Sequence, residues 1–144
     1  MHPYPHRYSV QASASSTGDV AVASQGLPAI ATAPPAEFDG PGDRWSPETL
    51  LCAAVADCFV LSFRAIARAT KIEWHSLECD VKGTLDRVDG KPRFTRIDVS
   101  ARLRAPFDTD RDKAMKALER AEQVCLISNS LLAERHLVAN VDLG

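Results

Sequence analysis

The feature that most constrains this chain is a long apolar segment, SPETLLCAAVADCFVLSFRAIARAT, which runs from Ser46 to about Thr70. Serine is a favoured N-cap residue, and proline at the first helical position loses no hydrogen bond because the N–H of that position has no partner in a helix. Glu48 adds negative charge close to the positive end of the helix dipole. The segment is therefore predicted to form one helix that begins at a defined residue.

The apolar side chains of this helix go nearly all the way round it. From Leu50 to Phe63 the only ionisable carboxylate belongs to Asp57. A helix with this pattern is expected to be enclosed by protein on most sides. A membrane span needs roughly 18 or more apolar residues with few charges, and Asp57 and Arg64 interrupt the run. We therefore expect a buried core helix and no membrane partner.

The composition is that of a globular protein. A chain of 144 residues, 45% hydrophobic and 25% charged, predicts a single domain over residues 1–144. The net charge of −2 and the pI of about 6.1 provide no broad basic field for nucleic acid or an anionic membrane. The N-terminal stretch MHPYPHRYSV lacks the apolar run of a secretion signal, so a cytoplasmic protein is predicted. In that reducing compartment the four cysteines are expected to be thiols.

Alternating segments on both sides of the helix predict β-hairpins. Residues 8–23 alternate weakly around a Thr17-Gly18-Asp19 turn, and residues 25–33 predict a third short strand that ends at two prolines. After the helix, residues 74–86 and 94–103 alternate apolar and polar residues around a second turn. The inward-facing residues of this second hairpin are predicted to be Leu77, Cys79, Val81, Leu85, Phe94, Ile97, Val99, Ala101 and Leu103.

The last part of the chain predicts a helix and a final strand. Asp108 or Thr109 is the expected cap of a helix of about 15 residues, and residues 136–143 form the strand. This order defines an α+β protein with antiparallel sheets wrapped around the long central helix. Because that helix has more apolar surface than one small sheet and a half-polar helix can cover, an intertwined homodimer is predicted.

Cys58 and Cys125 are the candidates for redox chemistry. A lone cysteine in an apolar setting is most often inert, but two thiols brought together by tertiary packing make an attacking and a resolving pair. Cys52 lies about 240° round the helix and about 9 Å along it from Cys58, which excludes a disulfide between them. Cys52 and Cys79 are expected to be packing residues. No Cys or His pair has the short spacing of a zinc site, so no metal is expected.

Two motifs give the chain a resemblance to a known family. The first is FDGPG followed by SPETLLCAAVADCF within residues 38–59, and the second is AEQVCLISNSL at residues 121–131. Together with the element order, they make the chain resemble the OsmC/Ohr family of thiol-dependent hydroperoxide reductases over essentially its whole length. The resemblance implies an OsmC-like fold.

The resemblance also implies a peroxidase reaction on organic hydroperoxides. By motif position, Cys58 would be the peroxidatic residue, whose thiolate attacks the peroxide to give a sulfenic acid. Cys125 would be the resolving residue, which condenses with that acid. No bound cofactor is implied; an external dithiol, lipoyl in several members of the family, would reduce the disulfide.

The resemblance further implies an acid that orients an arginine beside the thiolate. The helix-opening acid matches Glu48. Ten helical residues, about 15 Å, separate Glu48 from Cys58 of the same chain. The acid would therefore have to reach the partner's cysteine or act through a long arginine, which puts the site at the subunit interface of the homodimer.

This sequence departs from the family pattern at the arginine itself. The two positions that relatives use carry no cation here, since Glu37 precedes Phe38 and the first hairpin turn contains only Asp19 as a charged residue. Arg44 is the first candidate to stabilise the thiolate and Arg7 the second. Because Arg44 lies four residues before Glu48, the two could equally form an ordinary surface pair.

The missing arginine keeps two further hypotheses open. One is a non-peroxidatic protein of the same fold that keeps both cysteines and binds a small apolar or thiol-reactive ligand. The other is a purely structural dimer with buried, inert thiols. The peroxidase hypothesis differs from both because it predicts that an organic hydroperoxide oxidises Cys58 and Cys125 to a disulfide.

Overall fold

The structure is a computed structural model that describes residues 1–144, and it is α+β. The chain divides into two compact units, Met1–Leu50 and Leu51–Gly144. Two three-stranded sheets and two α-helices make up the fold. The predicted fold class is therefore confirmed, and each unit is described in turn.

The first unit contains a small antiparallel sheet in the order β1-β2-β3. Its strands are Gln11–Ser13, Val20–Ala23 and Ile30–Thr32, which confirms the predicted hairpin and the third short strand. The turn between β1 and β2 uses Gly18 at a φ of 90°, a conformation that favours glycine. Only three residues of this unit are buried, namely Thr32, Ala33 and Ser46.

A tight turn at Asp39 and Gly40 follows the third strand. Asp39 has a φ of 63°, and the Gly40 N–H donates to the Pro35 carbonyl at 3.0 Å. A Cβ at Gly40 would lie 1.7 Å from the Pro34 carbonyl oxygen, far inside van der Waals contact. Only glycine fits at position 40, which explains the first glycine of the FDGPG motif.

Gly40→Ala is expected to lower the free energy of unfolding by about 2 kcal/mol or more, because the backbone of Pro34 would have to move. Gly18→Ala is the control: it meets nothing within 4 Å and should cost only the strain of a left-handed residue, about 1 kcal/mol. Urea unfolding of both variants measures the difference. Equal costs for the two substitutions would show that the Gly40 turn is not closely packed.

Helix α1 spans Pro47–Ala69, as predicted. Its N-terminus is capped reciprocally: the Thr49 N–H donates to Ser46 Oγ at 3.1 Å, and the Ser46 N–H donates to Thr49 Oγ1 at 2.9 Å. Two N–H groups that the helix leaves unpaired are thereby satisfied. The predicted cap at Ser46 is confirmed.

The burial of α1 differs from the prediction. Its buried residues are Val55, Phe59, Phe63 and Ala67, a single stripe at four-residue spacing. Leu61, on another side, is 49% exposed, so enclosure on most sides is wrong for the single chain. The sequence pattern reports how apolar a face is, and it cannot report whether the same chain covers that face.

The length and composition of α1 would also allow it to cross a membrane. An 18-residue window has a mean hydropathy of 2.0, and 22% of that window is buried within the chain. Core helices of ordinary proteins pass the same test. Here the buried stripe belongs to the hydrophobic core of the second unit, where Phe63 meets Trp74 edge to face at a ring separation of 5.4 Å.

The second unit is built on a sheet in the order β4-β5-β6. Its strands are Ser76–Val88, Lys91–Ala105 and Glu134–Leu143. The β4-β5 hairpin is confirmed, with both turn residues, Asp89 and Gly90, at positive φ. The four predicted inward residues at the centre of β5 are buried: Ile97, Val99, Ala101 and Leu103.

Two details of this sheet correct the prediction. Leu85 is 38% exposed, although it lies on the same face of β4 as Val81. The register also shifts here, because Thr84 pairs with Arg96 and Leu85 with Phe94, so Thr95 is an extra residue on β5. The final strand β6 pairs parallel to β5, so this sheet is mixed where an antiparallel sheet was predicted. The helix between the two strands makes the crossover that a parallel pair requires.

Helix α2 spans Arg111–Val124 and provides that crossover. Its N-cap is Asp110, whose side chain accepts from the Lys113 N–H at 3.1 Å, so the predicted cap at Asp108 or Thr109 is wrong by one or two residues. The Arg111 guanidinium donates to the Val141 carbonyl and ties this end of α2 to β6. The buried residues of α2 are Ala114, Ala117, Leu118 and Ala121.

Candidate functional site: a pair of thiols

Cys58 lies in the middle of α1, one position before the buried Phe59. Its side chain is neither fully exposed nor fully buried. The nearest polar neighbour on the helix is Ser62, one turn later, with a Sγ–Oγ distance of 4.0 Å. A reagent in solution can therefore reach this sulfur while the helix holds it in place.

Cys125 lies directly after the last residue of α2 and is completely buried. The side chain and the backbone N–H of Ser128 lie beside its sulfur. The Ser128 hydroxyl is itself buried. This residue was missed by the sequence analysis, although it lies within the second motif, three residues after the cysteine.

The structure brings the two predicted thiols together. Cys58 is within hydrogen-bonding reach of Cys125, and both cysteines are free. Burial is the main cause that raises the pKa of Cys125, the two Ser128 hydrogen bonds oppose it, and the contact and charge of Cys58 raise it further. Cys125 is therefore held as a neutral thiol at neutral pH.

The difference between the two sulfurs matches two different roles. The partly exposed thiol is the one that a substrate can reach first, and the buried thiol is poised behind it. Because a charge on Cys58 raises the pKa of Cys125, the pair favours one thiolate at a time. Two neighbouring thiols of unequal exposure can be joined in a disulfide when the more exposed one is oxidised.

Cys52 and Cys79 have the packing surroundings that the sequence predicts. Cys52 Sγ lies only 2.9 Å from where a Cβ of Gly83 would be, so it fills the space that this glycine leaves on β4. Cys79 packs against the hydrophobic core from the same strand. Burial, followed by the charge of Asp80, raises the pKa of Cys79 to about 11.

Alkylation at neutral pH should separate Cys79 from the accessible thiol. At a pKa of about 11, the thiolate fraction of Cys79 is lower than that of an ordinary thiol by about two orders of magnitude. Peptide mapping after brief iodoacetamide treatment is expected to find Cys58 labelled and Cys79 unlabelled. Denaturation in urea before labelling is the control and should equalise them. Equal labelling in the folded protein would refute the assignment of Cys79 as inert.

Glu48 and Arg44, the two other predicted site residues, belong to the first unit. Glu48 Oε1 is buried and has no hydrogen-bond partner, an unusual state for a carboxylate oxygen. Arg44 is 42% exposed and donates to Asp19 Oδ2 at 3.1 Å, with Asp43 Oδ2 at 3.4 Å. The hydrogen bond and charge of Asp19 raise the pKa of Arg44. Arg44 thus already has two carboxylate partners within its own unit.

A second feature that the sequence analysis missed is an ion pair at the end of α2. Arg135, on β6, donates from Nε to Glu122 Oε1 at 2.6 Å and from Nη1 to Asn129 Oδ1 at 2.6 Å. Its other terminal nitrogen donates to the Glu122 backbone carbonyl. Nothing local in the sequence marks Arg135, because its partners lie six and thirteen residues away.

The structure contains no group of three or more His, Cys, Asp or Glu side chains that could hold a metal ion.

The chain has an α+β fold, with one thiol on a long helix and a second thiol directly after a crossover helix. The sequence model of the OsmC-like protein family matches residues 40–138. The chain belongs to this family, and the resemblance read from its two motifs is confirmed. Both cysteines and Glu48 lie within the matched residues, and Arg44 does as well.

Three relatives illustrate the similarity. An uncharacterised protein of Bacillus subtilis (strain 168), YmaD, is 28% identical over 115 residues, which is 76% of this chain and 77% of that protein. An OsmC-like protein of unknown function from Vibrio cholerae superposes with a TM-score of 0.87 at 16% identity, covering 94% of this chain and 100% of its own. An organic hydroperoxide resistance protein from Elizabethkingia anophelis, with thiocyanate bound, superposes with a TM-score of 0.75 at 21% identity, covering 98% and 100%. The two structures share the fold of this chain.

Proposed function

We propose that this protein is a thiol peroxidase that reduces organic hydroperoxides, with Cys58 as the peroxidatic and Cys125 as the resolving cysteine. The observation that carries the proposal is the contact between an accessible and a buried thiol from elements 67 residues apart in sequence. Membership of the OsmC-like family and the shared fold with an organic hydroperoxide resistance protein support it.

The reaction has three steps. The Cys58 thiolate attacks the terminal oxygen of the hydroperoxide, the O–O bond breaks, and the alkoxide leaves and takes up a proton to become an alcohol. The thiol of Cys125 then attacks the resulting sulfenic sulfur, an S–S bond forms, and the hydroxyl leaves with the Cys125 proton as water. An external dithiol, of which dihydrolipoamide is one, supplies two electrons and two protons to restore both thiols.

The substrate class follows from the surroundings of Cys58. The side of α1 that the chain leaves uncovered is apolar, which favours a hydrophobic peroxide over hydrogen peroxide. The same surface supports a homodimer in which a second copy covers α1, because 22% of the apolar window of this helix is buried within the chain and exposed apolar surface marks protein contacts. In that assembly the site would lie at the subunit interface, and a cytoplasmic location is proposed with it.

Glu48 and Arg44 complete the proposed site. The unpartnered, buried oxygen of Glu48 can accept a hydrogen bond from an arginine. That arginine would lower the pKa of the peroxidatic thiol through its positive charge. Arg44 is the first candidate and must exchange its contact with Asp19 to take this role, and Arg7 is the second.

Arg44→Ala is expected to slow the oxidation of Cys58 by a hydroperoxide more than tenfold, an effect of roughly 1.4 kcal/mol or more on thiolate formation and attack. Stopped-flow measurement of peroxide consumption tests it. Arg7→Ala is the matched comparison. An unchanged rate in Arg44→Ala would transfer the role to another residue.

A second candidate function is suggested by the ion pairs of Arg44. Because Asp19 and Asp43 already neutralise this side chain, a protein without a free arginine at the thiol could bind a small apolar or thiol-reactive ligand without peroxidase turnover. Such a protein would react with alkylating agents or mixed disulfides and leave hydroperoxides intact.

Turnover of cumene hydroperoxide with dihydrolipoamide as the reductant tests whether the protein is a peroxidase or a ligand-binding protein. The proposal predicts multiple turnovers, faster with cumene or tert-butyl hydroperoxide than with hydrogen peroxide at equal concentration. Consumption no faster than with the reductant alone would favour the ligand-binding function.

A further inference from the structure

The guanidinium of Arg135 connects three chain segments around Cys125. It reaches the side chain of Glu122 and the backbone carbonyl of the same residue, three positions before the cysteine, and the side chain of Asn129, four positions after it. These three acceptors use three separate donors of one planar group. A lysine cannot replace them because its single nitrogen cannot reach all three at once.

Asn129 extends this network across the cysteine. Its side-chain nitrogen donates to the Gln123 carbonyl at 3.2 Å, and its backbone N–H donates to the Cys125 carbonyl at 2.9 Å. The Cys125 N–H points to the Glu122 carbonyl at 3.4 Å, the same oxygen that Arg135 holds. The backbone of Cys125 is therefore fixed on both sides by residues that Arg135 contacts.

The ion pair is shielded from water. The side chains of Arg135 and Glu122 are 26% and 13% exposed, and the second carboxylate oxygen of Glu122 is buried without a partner. An arginine in this setting is difficult to lose, because its removal leaves a buried carboxylate uncompensated. The segment from Glu122 to Asn129 would then rearrange so that the carboxylate can reach water.

We infer that Arg135 is a positioning residue that holds the segment around Cys125 in the geometry needed for attack on Cys58. The inference rests on the proposed function in one respect, since the attack it prepares is the condensation step of that reaction. Arg135 touches neither sulfur. It acts through Glu122 and Asn129 on the backbone from which the resolving thiol extends.

The chemical reason is alignment. Attack on a sulfenic or disulfide sulfur needs the incoming sulfur close to the target and opposite the leaving group, and misplacement by about 1 Å can cost two orders of magnitude in rate. Cys125 is already within hydrogen-bonding reach of Cys58. A loosened segment would spend most of its time outside that geometry.

A reaction that needs no peroxide isolates this step. In a Cys52→Ala/Cys79→Ala background, the Cys58 thiolate attacks DTNB, an aromatic disulfide, and releases one thionitrobenzoate. Cys125 then attacks the Cys58 sulfur of the mixed disulfide, an S–S bond forms between the cysteines, and a second thionitrobenzoate leaves with both electrons of the broken bond. Absorbance gives the rate of each phase, and the second phase reports the position of Cys125.

Arg135→Met is expected to slow the second phase by about tenfold or more while leaving the first phase within twofold. Asn129→Ala keeps the ion pair between Arg135 and Glu122 and removes the two side-chain hydrogen bonds of Asn129, to Arg135 and to the Gln123 carbonyl. It should slow the same phase and is the second variant if Arg135→Met folds poorly. The second phase of Arg135→Lys should have a rate between those of the wild type and Arg135→Met, because the single nitrogen of lysine can restore only part of the hydrogen-bond network.

Arg111→Met is the matched control. Arg111 ties the other end of α2 to a carbonyl of β6, so its loss should lower the melting temperature but not change the second phase. If Arg135→Met lowers the melting temperature and leaves the second phase at the wild-type rate, Arg135 is only structural and the inference is overturned. A second phase that is absent from the parent protein also overturns it.

The two proposals fail separately. Absence of hydroperoxide turnover together with a slow second phase in Arg135→Met would refute the peroxidase and support the positioning role. Hydroperoxide turnover by the wild type together with an unchanged second phase in Arg135→Met would support the peroxidase and refute the positioning role.

Discussion

Cys58→Ser is expected to reduce hydroperoxide turnover by roughly a thousandfold, to the rate of the reductant alone. A serine hydroxyl is not ionised near neutral pH and a peroxide does not oxidise it, so the first step of the reaction has no nucleophile. The measurement is the consumption of cumene hydroperoxide in the presence of dihydrolipoamide. Because Cys58 is partly exposed and serine differs from cysteine only in its terminal atom, the substitution should leave the fold intact.

Cys79→Ala is the control for this prediction. Cys79 is also a half-buried thiol of the second unit, but its pKa of about 11 keeps it protonated. Its loss should leave turnover within about twofold, the ordinary scale of a packing change away from the reacting atoms. If Cys58→Ser retains substantial turnover, or if Cys79→Ala loses it, the peroxidatic thiol has been assigned to the wrong residue.

The second large effect is expected from Cys125→Ser. Oxidation of Cys58 should proceed at the wild-type rate, but the sulfenic acid should persist because its condensation partner is gone. It would then be trapped by dimedone or oxidised further by excess peroxide to the sulfinic acid. We expect activity to be lost at least tenfold faster per turnover than in the wild type. Intact mass spectrometry distinguishes the dimedone adduct, the added oxygens and the disulfide.

The resolving step should also depend on pH in a defined direction. The pKa of Cys125 is raised, chiefly by burial, so the thiolate fraction keeps growing with pH beyond the range in which an ordinary thiol is already ionised. Condensation in the wild type is therefore expected to accelerate up to pH 9 without levelling off, and Cys125→Ser should show no such phase. A plateau near pH 7 would mean that Cys125 is not the residue that loses a proton in this step.

The elements that could be predicted are those whose signals are local. The cap at Ser46, the apolar run of α1 and the period-two alternation of β4 and β5 each act within a few residues, and the structure confirms them. The pairing of Cys58 with Cys125 is not local, but the two motifs that surround these residues mark them both. The family model match covers the second motif and all of the first except Phe38 and Asp39.

What could not be predicted depends on contacts between distant residues. The bulge at Thr95 and the parallel pairing of β6 are properties of how two strands pair, which alternation within one strand does not encode. The N-cap of α2 moved to Asp110 because Asp108, Thr109 and Asp110 all have cap-forming side chains, and packing chooses between them. Arg135 gave no signal at all, since an arginine in an alternating strand usually faces solvent.

The degree to which α1 is covered shows the limit of the hydrophobic pattern. The segment is apolar nearly all round, yet one stripe alone is buried in the single chain. The homodimer proposed above would cover the apolar surface of α1 that the single chain leaves open. Analytical ultracentrifugation of the full chain tests whether such a dimer forms.

Treatment of the fully reduced protein with one equivalent of cumene hydroperoxide, followed by non-reducing peptide mapping, examines the two sulfurs together. We expect a mass loss of two hydrogens and a single cross-linked peptide pair that joins Cys58 to Cys125. Recovery of Cys58 as a free thiol, or a disulfide that involves Cys52 or Cys79 instead, would show that the pair does not carry out the proposed chemistry.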